Sequence, residues 1–291
     1  MNITEKILIL NNLNGVGSAT IRHAYDFFGD FENTELKDIL RFIQLMKKIS
    51  IKTHAVEDAV RKTERTLKDC RTSDIDVVSF LDETYPGSFS MLANKPPLLY
   101  IKGNRKVLDQ KKMVALIGTR NPTKEGERSA YDFGFFLAQN QVAVLSGLAL
   151  GCDAKGHVGA LSGEGITIAV LPSGINNIYP EANFQLSQTI LDSGGTLISE
   201  YAPNEKAENF KFVARDRLQA SLAKSLLVIE TDIVGGTMHT VNFAKELQKT
   251  IGVVKYEEMS AKQRRGNRVL LEHEDYITIE VSTKEDLYGL F

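Results

Sequence analysis

The sequence predicts an α/β protein in which an extended, Rossmann-like parallel sheet with helices on both faces follows a small helical domain. Three observations carry that prediction. From Met113 onward, six short apolar runs alternate with helical patterns. The turns that close those runs are rich in Gly, Ser and Thr. Before about Lys68 the apolar residues, such as Ile39, Leu40, Ile43 and Met46, recur at helical spacing with no β-branched alternation. The expected division is a helical domain over 1–75, a connector over 76–112 that packs on the main domain, and the Rossmann-like domain over 113–291.

Composition narrows the function. A chain of 291 residues with 43% hydrophobic content can build one large core and a smaller one. The formal net charge of -2 means that any nucleic-acid binding must come from a local patch. Cys70 and Cys152 are far apart and lack metal-ligand spacing, and the start "MNITEKILIL" has neither a basic region nor a long apolar one. A reducing, cytoplasmic setting is the expectation, with no metal. No apolar run approaches the ~18 residues of a membrane span, so no membrane partner is expected.

In the helical part, "LNGVGSATIRHAYDFFG" places Gly15 and Gly17 around Val16 between two helical stretches. A helix-hairpin-helix turn is written this way and presents backbone N–H groups to a phosphate. An ordinary interhelical turn is the favoured reading, because Arg22 is the only cation nearby. In the connector, Pro96 and Pro97 force extended backbone before a strand-like "LLYIKG". Its end carries Lys102, Arg105, Lys106, Lys111 and Lys112, which read as a solvated charged turn. The strands of the main domain are expected at "MVALIG", "VAVLSG", "TIAVLPSG", "GTLISEY", "SLLVIET" and "IGVVKYE". Helices are expected over 124–139, 152–162, 182–192, 212–223 and 238–248. Continuous apolar strands with crossover helices specify a parallel sheet whose ligand site lies outside the carboxyl ends of the strands.

The turns at those ends are where the chemistry is expected. In "GTRNPTKEG", Gly118 opens the turn, Thr119 offers a hydroxyl, Arg120 is the cation and Pro122 suits a first helical turn. Backbone amides, a helix N-terminus and a guanidinium together make an anion site. The G-x-G-x-x-G spacing of a dinucleotide site is missing. After the second strand the chain offers Ser146 and Gly147 where such a fold would place an acid for a ribose. These turns suit a phosphate held without recognition of its sugar, and no cofactor is expected. Ser173 with Gly174, and Gly235, Gly236 and Thr237 before the last expected helix, repeat the theme. Several such turns along one sheet edge fit a threaded polyanion better than a single nucleotide.

The segment "ENFKFVARDRLQASLAKSLLVIE" brings Lys211, Arg215 and Arg217 together with Phe210 and Phe212. Cations that hold phosphates beside an aromatic that stacks on a base follow the logic of single-strand binding. Phe212 reads equally well as a core residue. The run "KQRRGNR" supplies Lys262, Arg264, Arg265 and Arg268, by default a surface loop. Cys152, Asp153 and His157 read as a helix start with a capping Asp153 and a packed His157. His239 has no nucleophile motif beside it. Glu200 and Glu230 could act as carboxylates in glycosidic cleavage or could orient backbone amides. No catalytic residue is assigned.

Taken in order, "YPGSFSMLANKPPLLYIKGN", "VALIGTRNPTKEG", "VLSGLALGCDAKGHVGAL", "TIAVLPSGINNIYPEAN", "LISEYAP", "FKFVARDRLQASLAKSLLVIET", "GGTMHT" and "GNRVLLEH" resemble the DprA/Smf family, the DNA-processing protein of natural transformation. The resemblance covers about residues 80–275, and the helical N-terminus is similar to that family's small SAM-like domain. It implies a DNA-binding Rossmann domain that holds single-stranded DNA, works as a homodimer, protects the strand from nucleases and helps load a RecA-type recombinase. It places phosphate contacts on Gly118 to Arg120, on Ser146 and Gly147, and on Gly235 to Thr237. The family's Arg-Asn-Arg motif falls on Arg215, Asp216 and Arg217.

Departures from the family pattern are Leu150 where Arg is usual, Asp216 where Asn is usual, and Gly235, Gly236 and Thr237 in place of Ser-Gly-Ser. No winged-helix domain of the kind some relatives carry is expected within these 291 residues. The expected function is therefore a non-catalytic single-stranded DNA-binding protein, in recombination or in a mobile-element or antiviral variant. The alternative is a nucleotide-ligand sensor or phosphoribohydrolase of the same superfamily.

Overall fold

The computed structural model describes residues 1–291 and divides into two compact units. One comprises Met1–Tyr85 and Ala93–Tyr100, the other Pro86–Leu92 and Ile101–Phe291. These boundaries differ from the 1–75, 76–112 and 113–291 division, because the expected connector is shared between the two units.

The smaller unit contains α1 (Ile3–Asn11), α2 (Ser18–Phe28), α3 (Leu36–Lys47), α4 (Thr53–Thr72), β1 (Asp76–Ser79) and the first half of β2 (Leu98–Gly103). A capping box starts α1: Asn2 Oδ1 accepts from the Glu5 amide, and Glu5 returns the bond to the Asn2 amide. The ammonium of Lys6 is buried and donates to the carbonyls of Phe31, Glu32 and Thr34 at 2.7, 2.8 and 2.9 Å, which ties down the α2–α3 loop. In the turn between α1 and α2, Val16 is buried, and Arg22 donates to the carbonyls of Lys95 and Ala93. The cation beside that turn is thus occupied inside its own unit.

In the larger unit, β3 (Met113–Ile117), β4 (Ala143–Ser146), β5 (Thr167–Val170), β6 (Thr196–Ser199), β7 (Ser225–Val228), β8 (Ile251–Val254) and β9 (Thr278–Val281) form one sheet in the order β6-β5-β4-β3-β7-β8-β9. Every adjacent pair among these seven is parallel. The helices are α5 (Lys124–Gln139), α6 (Cys152–Ser162), α7 (Phe184–Asp192), α8 (Asn209–Leu222), α9 (Gly236–Glu246) and α10 (Arg265–Glu272). All residues of β3 to β8 are buried, as a sheet covered on both faces requires. Each buried Leu, Ile or Val there contributes roughly 1.5–3 kcal/mol over leaving it in water.

All six expected strands form, and α5 and α6 begin and end as expected. By contrast, α8 starts three residues earlier than expected, and α9 spans 236–246 in place of 238–248. The sequence reading did not anticipate α10 or β9. In β9 only Val281 is buried, so this edge strand never produces a continuous apolar run.

Chain order along the sheet reverses at β3, with β4 on one side and β7 on the other. A crevice opens at such a switch point, outside the carboxyl ends of the strands.

Candidate nucleic-acid interface

The turn after β3 is set from below by a buried carboxylate. Glu230, fully buried just beyond β7, accepts from the Thr123 amide at 2.8 Å and the Thr123 hydroxyl at 2.7 Å. Thr123 in turn caps α5 by accepting from the Gly126 amide. Arg264, buried, donates from Nε to Glu230 at 2.8 Å and from Nη2 to Thr123 and Glu125 at 3.0 and 2.6 Å. The Thr119 amide donates to the Glu230 carbonyl at 2.8 Å. A Cβ on Gly118 would lie 2.5 Å from Cys152 Sγ, so only glycine lets the turn lie against the start of α6. Thr119 and Arg120 are thereby held at the crevice while the Arg120 side chain stays exposed.

The far wall of the crevice is one face of α8. Asn209, Phe212, Val213, Asp216 and Gln219 follow helical spacing and line a cleft of about 500 Å³ with Arg120, the Thr231 to Thr237 loop and His239. The Arg120 guanidinium carbon is 5.0 Å from the Phe212 ring centroid. The Tyr179 ring meets Phe212 edge-on at 5.4 Å. Phe212 is half-buried and Tyr179 is 44% exposed, so aromatic surface is available at the mouth of the cleft.

Of the other three cations expected at phosphates, Lys211 and Arg215 are buried and Arg217 is half-buried, and all three are paired with carboxylates. Lys211 is buried, paired with Glu205 at 3.0 Å and Glu208 at 3.1 Å, and donates to the Lys206 carbonyl. Arg215 is buried under the turn after β4, where Nη1 donates to the carbonyls of Gly147 and Val170 and Nε donates to Asp216 Oδ1 at 3.0 Å. Arg217 forks onto Glu200 with bonds of 3.1 and 2.7 Å. A desolvated cation must be paired, and the carboxylates that pair these three stand beside them in the chain or at the end of β6. Ser146 is also interior, donating to the Leu116 carbonyl at 2.6 Å. Gly147 rests on Arg215, whose guanidinium a Cβ there would strike.

The remaining expected residues are open. Gly235 and Gly236 are exposed, and a Cβ on either would meet nothing within 4 Å. They lead into α9 with Thr237 and present backbone amides to the cleft. Leu150 is exposed at the rim beside Arg120 and Tyr179.

Charge below the cleft is tightly bundled. Asp153 is buried and accepts from the amides of Gly147 and Ala149 at 3.1 and 3.4 Å. It therefore braces the β4–α6 turn rather than capping α6, whose N-cap is Gly151. Burial raises the pKa of Asp153 against the pull of Arg215. Burial likewise raises Asp216 to about 6, opposed by Arg215 and His239 and helped by Asp153. His157 is fully buried, held neutral by burial to a pKa of about 3, with Nδ1 2.6 Å from Thr167 Oγ1.

Sequence reasoning missed Gln219, Asn209 and Val213 as cleft residues, and Arg264 and Asn267 as buried supports. Asn267 accepts from the Thr231 amide and donates to the carbonyls of Ile229 and Val254. The helical periodicity from 209 to 219 was the signal for the α8 face. Nothing in "KQRRGNR" marks Arg264 as buried.

The fold and the crevice define the class: a doubly wound α/β domain with a crevice at its switch point, whose rim carries two exposed glycines, an arginine without a carboxylate partner and partly exposed aromatic rings. The family described as DNA recombination-mediator protein A matches residues 76–287, and the chain belongs to it. The DNA processing protein DprA of Streptococcus pneumoniae is 37% identical over 168 residues, covering 58% of this chain and 58% of that relative. Protein Smf of Synechocystis is 35% identical over 173 residues, covering 58% of this chain and 43% of that relative. The chain thus spans about half the length of these curated relatives. The X-ray structure of the Streptococcus pneumoniae protein superposes with a TM-score of 0.83 at 25% identity, covering 100% of this chain and 99% of that one. A Helicobacter pylori DNA processing protein A structure, described for its single-stranded DNA binding mode, superposes with a TM-score of 0.66 at 28% identity, over 74% of this chain and 94% of that one. No helix is long and apolar enough to cross a membrane.

Proposed function

We propose that the chain binds single-stranded DNA across the switch-point cleft and shields it without cleaving it. The observation that carries this reading is the Arg120–Phe212 pair at the mouth of the cleft, opposite the open amides of Gly235 and Gly236. A phosphate meets a cation and backbone donors there, while an unstacked base meets an aromatic face. The relative whose description names single-stranded DNA binding is similar over most of its length, which supports the same ligand here. In this reading the bound strand is delivered to a RecA-type recombinase by a homodimer. Arg120 and the 235–237 turn hold phosphates, and Phe212 and Tyr179 hold bases. Arg215, Arg217 and Lys211 build the wall behind them.

The state of the carboxylates supports a binding module over a phosphoribohydrolase. Glu230 is fully buried and bonded to Arg264 and Thr123, and Glu200 is forked by Arg217. Neither is left free to serve as acid or nucleophile. The test is fluorescence anisotropy with single-stranded DNA, duplex DNA and nucleoside monophosphates, alongside an assay for release of free base. Tighter binding of the single strand with no base release is expected. Release of free base by the unsubstituted protein would establish the hydrolase instead.

A further inference from the structure

Gln219 stands out on the α8 wall of the cleft. It is 2% exposed, and its Nε2 is buried with no acceptor anywhere in the protein. An unpaired buried amide donor costs about 1–3 kcal/mol, so such a group is retained where something else supplies the missing partner. Gln219 lines the cleft, and so does Asp216, three residues earlier on the same face. The bond from Arg215 uses one of the two acceptor sites on Asp216 Oδ1, so the carboxylate can still accept at both oxygens. The two side chains are a donor and an acceptor carried on Cα atoms displaced by roughly 4.5 Å along the helix axis. One turn before Asp216 stands Phe212, the aromatic face of the same wall.

We propose that Gln219 and Asp216 form a base-reading subsite that selects guanine, with Gln219 Nε2 donating to the O6 carbonyl and the Asp216 carboxylate accepting from the N1 and N2 hydrogens. This rests on the cleft being the ligand site proposed above. The four bases differ in how they meet this pair. Guanine offers a carbonyl beside two N–H donors and satisfies both side chains. Adenine puts an amino group where Gln219 needs an acceptor. Cytosine puts an amino group beside an unprotonated nitrogen and has no ring N–H for Asp216. Thymine offers a carbonyl and one N–H, but its second carbonyl stands where guanine has its amino group and faces the Asp216 carboxylate. The same edge is present on a guanine within a DNA strand and on a free guanine nucleotide, so both are ligands of the subsite.

The test compares anisotropy at neutral pH for an oligothymidine with those carrying one central guanine, hypoxanthine or adenine, and measures GMP and AMP by calorimetry. The guanine strand should bind about tenfold more tightly than the all-thymine strand, the scale of one good bidentate base contact. Hypoxanthine, which lacks the N2 amine, should fall between them, and adenine should gain nothing. Gln219→Met should abolish the preference while its melting temperature holds or rises, because the substitution removes an unpaired buried donor. Equal binding of the guanine and thymine strands by the unsubstituted protein overturns the subsite and leaves single-strand binding intact. Persistence of the preference in Gln219→Met also overturns it. If no strand binds but GMP binds more tightly than AMP, the subsite stands and the DNA reading fails. If neither strand nor GMP binds, the subsite is overturned as well.

Discussion

The Arg120 guanidinium lies 5.0 Å from the centre of the Phe212 ring, and this contact joins the turn after β3 to the α8 wall across the mouth of the cleft. A cation held over an aromatic face is oriented without being neutralised. Arg120 thus has no carboxylate partner, unlike Arg215 and Arg217, which are paired with Asp216 and Glu200.

That contrast separates binding from stability. Arg120→Ala should leave urea stability within about 0.5 kcal/mol, because it removes an exposed side chain. Arg215→Ala should cost about 3–5 kcal/mol, because it leaves Asp216 and Asp153 buried without their shared cation. Chemical denaturation of the two variants side by side checks this. Equal stabilities would mean that Arg215 is not a structural residue.

Gly235 and Gly236 give a cleaner probe of ligand approach than any charge. A Cβ at either position meets no protein atom, and neither needs a left-handed backbone. Gly236→Ala, at the first residue of α9, should fold normally and gain up to about 1 kcal/mol of stability. If strand phosphates sit on these amides, the same variant should bind single-stranded DNA several-fold more weakly. Unchanged affinity would place the strand away from this turn.

How much of this could be read from the chain follows from what each residue reports locally. The strands β3 to β8 were legible because burial on both faces forces continuous apolar runs, and α5 was legible from its Thr123 cap and helical spacing. Gly118, Thr119 and Arg120 were placed at the crevice because a turn after the first parallel strand has only one place to go. Lys211, Arg215 and Arg217 read as a surface patch because a basic and aromatic segment looks the same whether or not carboxylates fold onto it. The partners at Glu205 and Glu208 were within a few residues. The Glu200 partner of Arg217 was 17 residues away on another element. Gln219 gives no signal in sequence, since an unpaired amide is a property of its surroundings.

The Asp216 carboxyl makes stability depend on pH with a definite sign. Its pKa rises from 3.8 in the unfolded chain to about 6 in the folded one, burial being the main cause. Between about pH 4 and 6 the folded protein keeps a proton that the unfolded chain has lost, so stability falls as pH rises through that window, by up to about 3 kcal/mol. Asp153, raised in the same direction, adds to the slope. Asp216→Asn should flatten the profile without abolishing it. Urea midpoints measured from pH 4 to 7 test this, and superimposable profiles for the two proteins would contradict it.

Glu230 should prove structural in every assay. Glu230→Gln leaves Glu125 as the one charged partner of buried Arg264 and should lower stability by about 1–3 kcal/mol. By loosening Thr123 it should also weaken DNA binding through Arg120. Calorimetric unfolding together with strand affinity reads both effects. A variant of unchanged stability would remove Glu230 as the support of the turn.

The measurement that bears most directly on the central claim is the salt dependence of single-stranded DNA affinity for the unsubstituted protein and for Arg120→Ala. If the cleft holds the strand through Arg120, the variant should bind more weakly at every salt concentration, and its plot of log affinity against log salt should be shallower by about 0.7, the loss of one phosphate contact on a single strand. Parallel, coincident lines for the two proteins would contradict the account and place the DNA on another surface.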